Sequence, residues 1–198
     1  LIGTLCKNPP PVLCIDGRVV DRVSVFKLLG VLVDSSLKWD SHVNSICAKA
    51  ASRLFFLKQL KRNSVNSADL LYFYVSAIRP VLEYACPAWH SLTQKLSNCI
   101  ERVQKRALVI IFGSRTDVYE DYCVQLGIST LFERREMLSK QFFKSMLNPS
   151  SCLHYLLPEP RDSTIIDKLR NSTQYSADTA RTDRFNKSFV QYAINHFQ

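Results

Sequence analysis

At residue 40 the spacing of apolar residues in this chain changes, and that change constrains the fold more than any other feature. Before it, apolar residues come in short dense runs broken by turn residues, the pattern of strands. After it they recur every three or four positions, the pattern of helices with one buried face. Val43, Ile46, Cys47, Ala50, Leu54 and Leu57 make the first such stripe. It predicts a helix from a cap at Asp40 or Ser41 to about Arg62.

Upstream, "PVLCIDGRVVDRV" (11–23) has apolar arms around Asp16-Gly17, a two-residue hairpin signal. "NPPP" (8–11) blocks a ladder and marks a loop before it. "FKLLGVLVD" (26–34) reads as one buried strand, the third, with Gly30 in its middle. A glycine there marks a bulge or a close approach to the backbone.

Downstream, a second helix starts near Asp69 and must adjust at Pro80, and "RPVLEYACPAW" (79–89) predicts a short helix ended or kinked by Pro87. A third long helix spans about Gln94 to Phe112, with Gly113 placed to end it. Thr130 and Glu133 form a capping-box pattern opening a helix with Leu131, Leu138, Phe142 and Met146 inward. Residues 158–183 read as a polar loop, and "RFNKSFVQYAINHF" as a last amphipathic helix. The expected class is mainly α with a small N-terminal antiparallel β element. The expected divisions are 1–36 (β), 37–115 (a helical bundle) and 116–198 (C-terminal helices).

The formal charge is +9, and all of it sits in two segments. Residues 41–62 hold Lys49, Arg53, Lys58, Lys61 and Arg62 with no acid; residues 93–115 hold Lys95, Arg102, Lys105, Arg106 and Arg115 against Glu101. Such concentration is the footprint of a phosphate-binding surface. Two solvated helix faces give the same pattern, so charge alone leaves both readings open. The seven cysteines are widely spaced without a CxxC pair, which points to small buried hydrophobes in a reducing compartment. No metal cluster, phosphate loop, GxSxG elbow, HExxH or Asp-Asp pair occurs. Cys86 and His90, four apart, are only a faint nucleophile–base echo across Pro87, and Asp40 reads as structural. No membrane span or secretory signal is seen, and an intracellular protein of nucleus or cytoplasm is expected.

Four ordered strings, "FKLLGV" (26–31), "RLFFLKQLKR" (53–62), "RPVLEYACPAW" (79–89) and "IERVQKRA" (100–107), resemble the reverse transcriptases of non-LTR (LINE-type) retrotransposons, in the part after the catalytic palm. The resemblance covers essentially the whole chain. It implies that 26–31 are a primer grip, with Phe26, Lys27, Leu29, Gly30 and Val31 beside the primer phosphates; Leu28 stands where the family has Tyr. It implies that the helices after residue 40 are a thumb, with Lys49, Arg53, Lys58, Lys61, Arg62, Arg102, Lys105 and Arg106 as phosphate contacts. Glu83 is expected to pair with Arg79, and Trp89 to anchor packing. The implied partner is an RNA–DNA or RNA template–primer duplex bound regardless of sequence, with no membrane and no small-molecule substrate. No cofactor is expected, because magnesium would be held by catalytic aspartates upstream of Leu1. The chain is thus expected to be a non-catalytic fragment of an RNA-directed DNA polymerase. The rival expectations are a helical protein-interaction module and a decayed remnant without function.

Overall fold

A computed structural model describes residues 11–113, 119–162, 164, 173–179 and 182–198. The protein is mainly α with two small antiparallel hairpins at the N-terminal end. Its contacts divide the described residues into two units, one of 11–82 with 94–113, the other of 83–93 with the residues from 119 onward. The 83–93 segment therefore groups with the C-terminal helices. Leu1 and Ile2, Arg115 and much of the 158–183 loop lie outside the described residues.

In the first unit, β1 (Cys14–Ile15) pairs with β2 (Arg18–Val19) across Asp16 and Gly17, both at positive φ, as the Asp-Gly signal requires. The next stretch corrects the sequence reading. "FKLLGVLVD" is not one strand but a second hairpin, β3 (Val25–Leu28) with β4 (Val31–Asp34). Leu29 (φ 46°) and Gly30 (φ 90°) are its turn, so Gly30 supplies positive φ at a hairpin tip and not a bulge. Leucine in the left-handed region costs about 1–2 kcal/mol. The backbone N–H of Leu32 donates to His42 Nδ1 at 3.3 Å, which ties the hairpin to the first helix. Burial, then Lys49, lower the His42 pKa and keep the imidazole a neutral acceptor.

That helix, α1 (Asp40–Arg62), begins at an N-cap of Trp39 with no side-chain cap bond; Asp40 is its first residue and complements the helix dipole. Helix α2 (Ser67–Phe73) is capped by Asn66, whose side chain accepts from the Asp69 N–H at 2.9 Å. The chain then widens into a π-turn, Tyr74–Ile78, before α3 (Arg79–Glu83). Pro80 has no N–H to give the turn before it, and the π-turn absorbs that loss. The Arg53 guanidinium donates to the carbonyl of Ala77 in this turn.

Helix α4 (Gln94–Phe112) packs on α1. Val43, Ala50, Leu54 and Leu57 of α1 and Ile100, Ala107, Leu108 and Ile111 of α4 are buried. Each such Val, Leu or Ile side chain contributes about 1.5–3 kcal/mol, and each Ala methyl about 0.8 kcal/mol. The buried hydroxyl of Tyr74 donates to Gln104 of α4. Gly113, at φ 74°, donates its N–H to the Val109 carbonyl at 2.9 Å and closes the helix as its sequence position implied.

In the second unit, Ala85 (φ 53°) ends the α3 region and Pro87 opens a 3₁₀ turn, Cys86–Trp89, where it was expected to close a helix. Trp89 is fully buried and donates Nε1–H to the Tyr84 carbonyl at 2.9 Å, the anchor expected of it. Glu83 is forked by Arg134, 51 positions on, a partner that its local spacing to Arg79 does not signal. Burial pushes the Cys86 thiol up to about 11, which suits a core cysteine. After α5 (Tyr119–Gln125), α6 (Leu131–Met146) opens with the full capping box of Thr130 and Glu133. Its inward aromatic is Phe143; Phe142 lies on the exposed side, one residue out of phase with the expectation. The final stretch is two helices, α7 (Asp183–Asn186) and α8 (Phe189–His196), broken at Lys187 and Ser188. Phe143, Tyr175, Ala193, Ile194 and Phe197 form one buried cluster. The polar loop is tied at its described ends by a bridge between Pro160 and Tyr175.

Replacing Thr130 by Ala removes half of the capping box and is expected to cost about 1 kcal/mol of stability. Urea unfolding of the two proteins checks this, and unchanged midpoints would contradict the assigned cap.

Candidate nucleic-acid interface

Every basic residue singled out on α1 and α4 is exposed: Lys49, Arg53, Lys58, Lys61, Arg62, Arg102, Lys105 and Arg106. Their arrangement on the two helices differs. At 100° per residue, Lys95, Arg102, Lys105 and Arg106 fall within about 100° of one another, opposite the buried stripe of α4. That helix thus carries a single cationic outward face.

On α1 the charges split. Lys49 and Arg53 stand on one flank of the buried stripe, Lys58 and Arg62 on the other, about 180° away. Lys61 Nζ donates to the Ile111 carbonyl at 2.8 Å, so the C-terminal turns of α1 and α4 lie side by side. Lys58 and Arg62 are therefore on the α4 side of α1. Lys61 satisfies a carbonyl at a helix end, where a cation also complements the dipole. Arg53 and Lys61 thus have structural partners besides any ligand.

The hairpin residues Phe26, Lys27, Leu29 and Gly30 are exposed near or at the β3–β4 tip, whereas Val31 is buried. Phe26, Leu28 and Val33 share one hairpin face and, with Leu13, Val20 and Val23, line an apolar groove of about 440 Å³ between the two hairpins. Tyr72 of α2 is exposed.

One constellation escaped sequence reasoning. His90 Nδ1 meets Ser139 Oγ at 2.9 Å, its Nε2 meets Glu136 Oε1 at 3.3 Å, and the Tyr192 hydroxyl donates to Glu136 Oε2 at 3.1 Å. Ser139 and His90 are 49 positions apart, so no local motif could signal the pair. The order Ser-His-Glu resembles a hydrolase triad, but Ser139 has 0% exposure and no substrate can reach it. Burial first, then Arg135 and His196, hold the His90 pKa down to about 4, so the contact with Glu136 is a hydrogen bond of a neutral imidazole. The network, with the Tyr192 ring 4.5 Å from that of His90, fastens α8 to α6 and the 3₁₀ turn. Among the described residues, no group of three His, Cys, Asp or Glu could hold a metal ion. No helix among them is long and apolar enough to cross a membrane.

Known proteins resemble this chain in two ways. Over 148 aligned residues, taking in 70% of the chain, it is 25% identical to a protein of Drosophila melanogaster described as a probable RNA-directed DNA polymerase from transposon X-element. The match covers 16% of that protein, so the chain spans about a sixth of its relative's length. The family model described as alkylated DNA repair protein alkB homolog 8, N-terminal, matches residues 39–79, from the start of α1 to the start of α3. No solved structure matches the chain.

The His90 network yields a pH prediction. The folded pKa, about 4, lies below the unfolded value near 6.5, so the unfolded state binds the proton more readily. Stability from this group is present above pH 6.5 and is lost as pH falls from 6.5 toward 4, by at most about 3 kcal/mol. Urea midpoints measured across that window should fall for the native chain and fall less for His90→Gln. Parallel falls in both would place the acid sensitivity elsewhere.

Proposed function

We propose that the chain is a non-catalytic part of a reverse transcriptase of the non-LTR retrotransposon type, and that it holds a template–primer duplex through its sugar-phosphate backbone. The observation that carries this is the outward face of α4, where Lys95, Arg102, Lys105 and Arg106 stand together. The chain bearing it is similar over 70% of its length to a transposon RNA-directed DNA polymerase. Duplexes gripped this way are recognised by shape and charge, without base readout. Helices α1 to α4 would be the thumb, with Lys58 and Arg62 extending the α4 surface. The β3–β4 hairpin would be the primer grip, presenting Phe26, Lys27 and the Leu29–Gly30 turn to the primer end. Lys49 and Arg53, on the other flank of α1, would meet a different part of the nucleic acid.

Two-metal phosphoryl transfer needs clustered carboxylates. The chain has no Asp-Asp pair, so bond formation is assigned to the rest of such a polymerase. A second reading, a protein-interaction module, is favoured by the apolar groove between the hairpins. The two separate in one experiment, because an RNA–DNA hybrid displaces a nucleic-acid ligand but not a protein held at the hairpins.

The test is an anisotropy titration of a labelled RNA–DNA hybrid across salt concentrations. The logarithm of affinity should fall linearly with that of salt concentration, and the triple variant Arg102→Gln, Lys105→Gln, Arg106→Gln should flatten the slope by about 2–3. An absent slope, or the same slope in the variant, would overturn the reading.

A further inference from the structure

Helix α1 carries a second apolar feature that its packing does not use. Its buried stripe is complete without Phe55 and Phe56, and each of these is 58% exposed. Their rings meet edge to face, centroids 5.7 Å apart at 77°. By helical phase the pair sits on the solvent crest between the Lys58–Arg62 flank and the Lys49–Arg53 flank. Phe56 also lines an open groove of about 450 Å³ with Arg53, Gln59, Leu60, Asn63 and Phe73. Ala77 of the π-turn forms part of its wall, and π-turns inside helices recur at functional sites. One N–H of Arg53 is committed to the Ala77 carbonyl, which fixes a guanidinium at the groove's edge.

The chemistry of the lining selects among occupants. Aromatic rings offer a flat apolar surface, the Gln59 amide offers a paired donor and acceptor, the Asn63 amide, which gives one N–H to the Gln59 backbone carbonyl at 2.8 Å, offers its oxygen and its other N–H, and a guanidinium offers positive charge. Residues 41–62, which supply most of the wall, hold five basic residues and no acid. A cationic or purely aliphatic ligand leaves part of this unused. A polyanion carrying flat heterocycles uses all of it, since bases stack on aromatic side chains while basic residues track the backbone.

We propose that this groove receives an unpaired nucleobase of a nucleic-acid strand, stacked on Phe56, with its polar edge toward Gln59 and Asn63 and its phosphates toward Arg53 and Lys49. The proposal rests on the duplex-binding reading and adds to it a single-strand site across one helix width, about 10 Å. The strand leaving the duplex on the α4 side crosses the crest at Phe55 and enters the groove at Phe56.

The experiment compares a blunt RNA–DNA hybrid with the same hybrid bearing a six-nucleotide single-stranded overhang, using the full chain, with 2-aminopurine in the overhang as a stacking reporter. The overhang should tighten binding and quench the 2-aminopurine. Phe56→Ala should remove that gain, about tenfold in affinity, and the quenching, while blunt-duplex affinity is unchanged. Phe56→Trp should retain both, which separates loss of stacking from loss of fold. If the blunt hybrid binds with its salt slope but the overhang adds nothing, the groove proposal falls and the duplex reading stands. If a single strand binds in a Phe56-dependent way and the blunt hybrid does not, the groove stands and the duplex reading falls. An equal loss for blunt and overhang substrates in Phe56→Ala also overturns the groove proposal.

Discussion

The packing of α1 against α4 is the contact on which the first unit depends. Each helix has one continuous apolar stripe, and burying the two against each other determines which residues are left outside. For α4 the consequence is simple: its basic residues lie opposite the stripe and form one cationic face. For α1 the stripe lies between two pairs of basic residues, so burial pushes them apart. Two hydrogen bonds then fix the arrangement. Tyr74 holds Gln104 inside, and Lys61 reaches the Ile111 carbonyl at the end of α4. Removing either partner of the buried pair would break a bond that links the π-turn to α4.

The π-turn connects this packing to the surface. Pro80 cannot donate a backbone hydrogen bond, and the chain answers by widening the turn before it and recruiting Arg53 to the Ala77 carbonyl. The same adjustment builds one wall of the groove beside Phe56. In the second unit, polar groups take the corresponding part. Glu83 is forked by Arg134, and neutral His90 lies between Ser139 and Glu136, so the 3₁₀ turn, α6 and α8 are held by directed bonds as well as by the Phe143 cluster.

What the sequence made legible follows from how local each signal is. The extent of α1 and α4, the Asp16-Gly17 turn, the Thr130 capping box and the Gly113 stop are all encoded within a few residues, and each forms. The Leu29–Gly30 turn was missed because leucine disfavours positive φ, so "LLGV" reads as an uninterrupted strand. Phe142 and Phe143 are adjacent, and one residue of helical phase decides which of them is buried. Arg134, which forks Glu83, and Ser139, which meets His90, lie about fifty positions away, beyond any local pattern. Tyr175 enters a core from a stretch whose composition reads as loop. For the interface, helical spacing gathers the charge of α4 and divides that of α1, and the fold adds the neighbours of each flank, through Arg53 at the Ala77 carbonyl and Lys61 at the Ile111 carbonyl.

The central claim is that the α4 face and the adjoining flank of α1 meet nucleic acid as one surface. Lysine acylation mapped by mass spectrometry, with and without a saturating RNA–DNA hybrid, tests it most directly. The account predicts that Lys58, Lys95 and Lys105 become protected while Lys140, Lys144 and Lys187, exposed in the second unit, react as before. Equal reactivity of the first three in both states, or protection confined to the second unit, would contradict it.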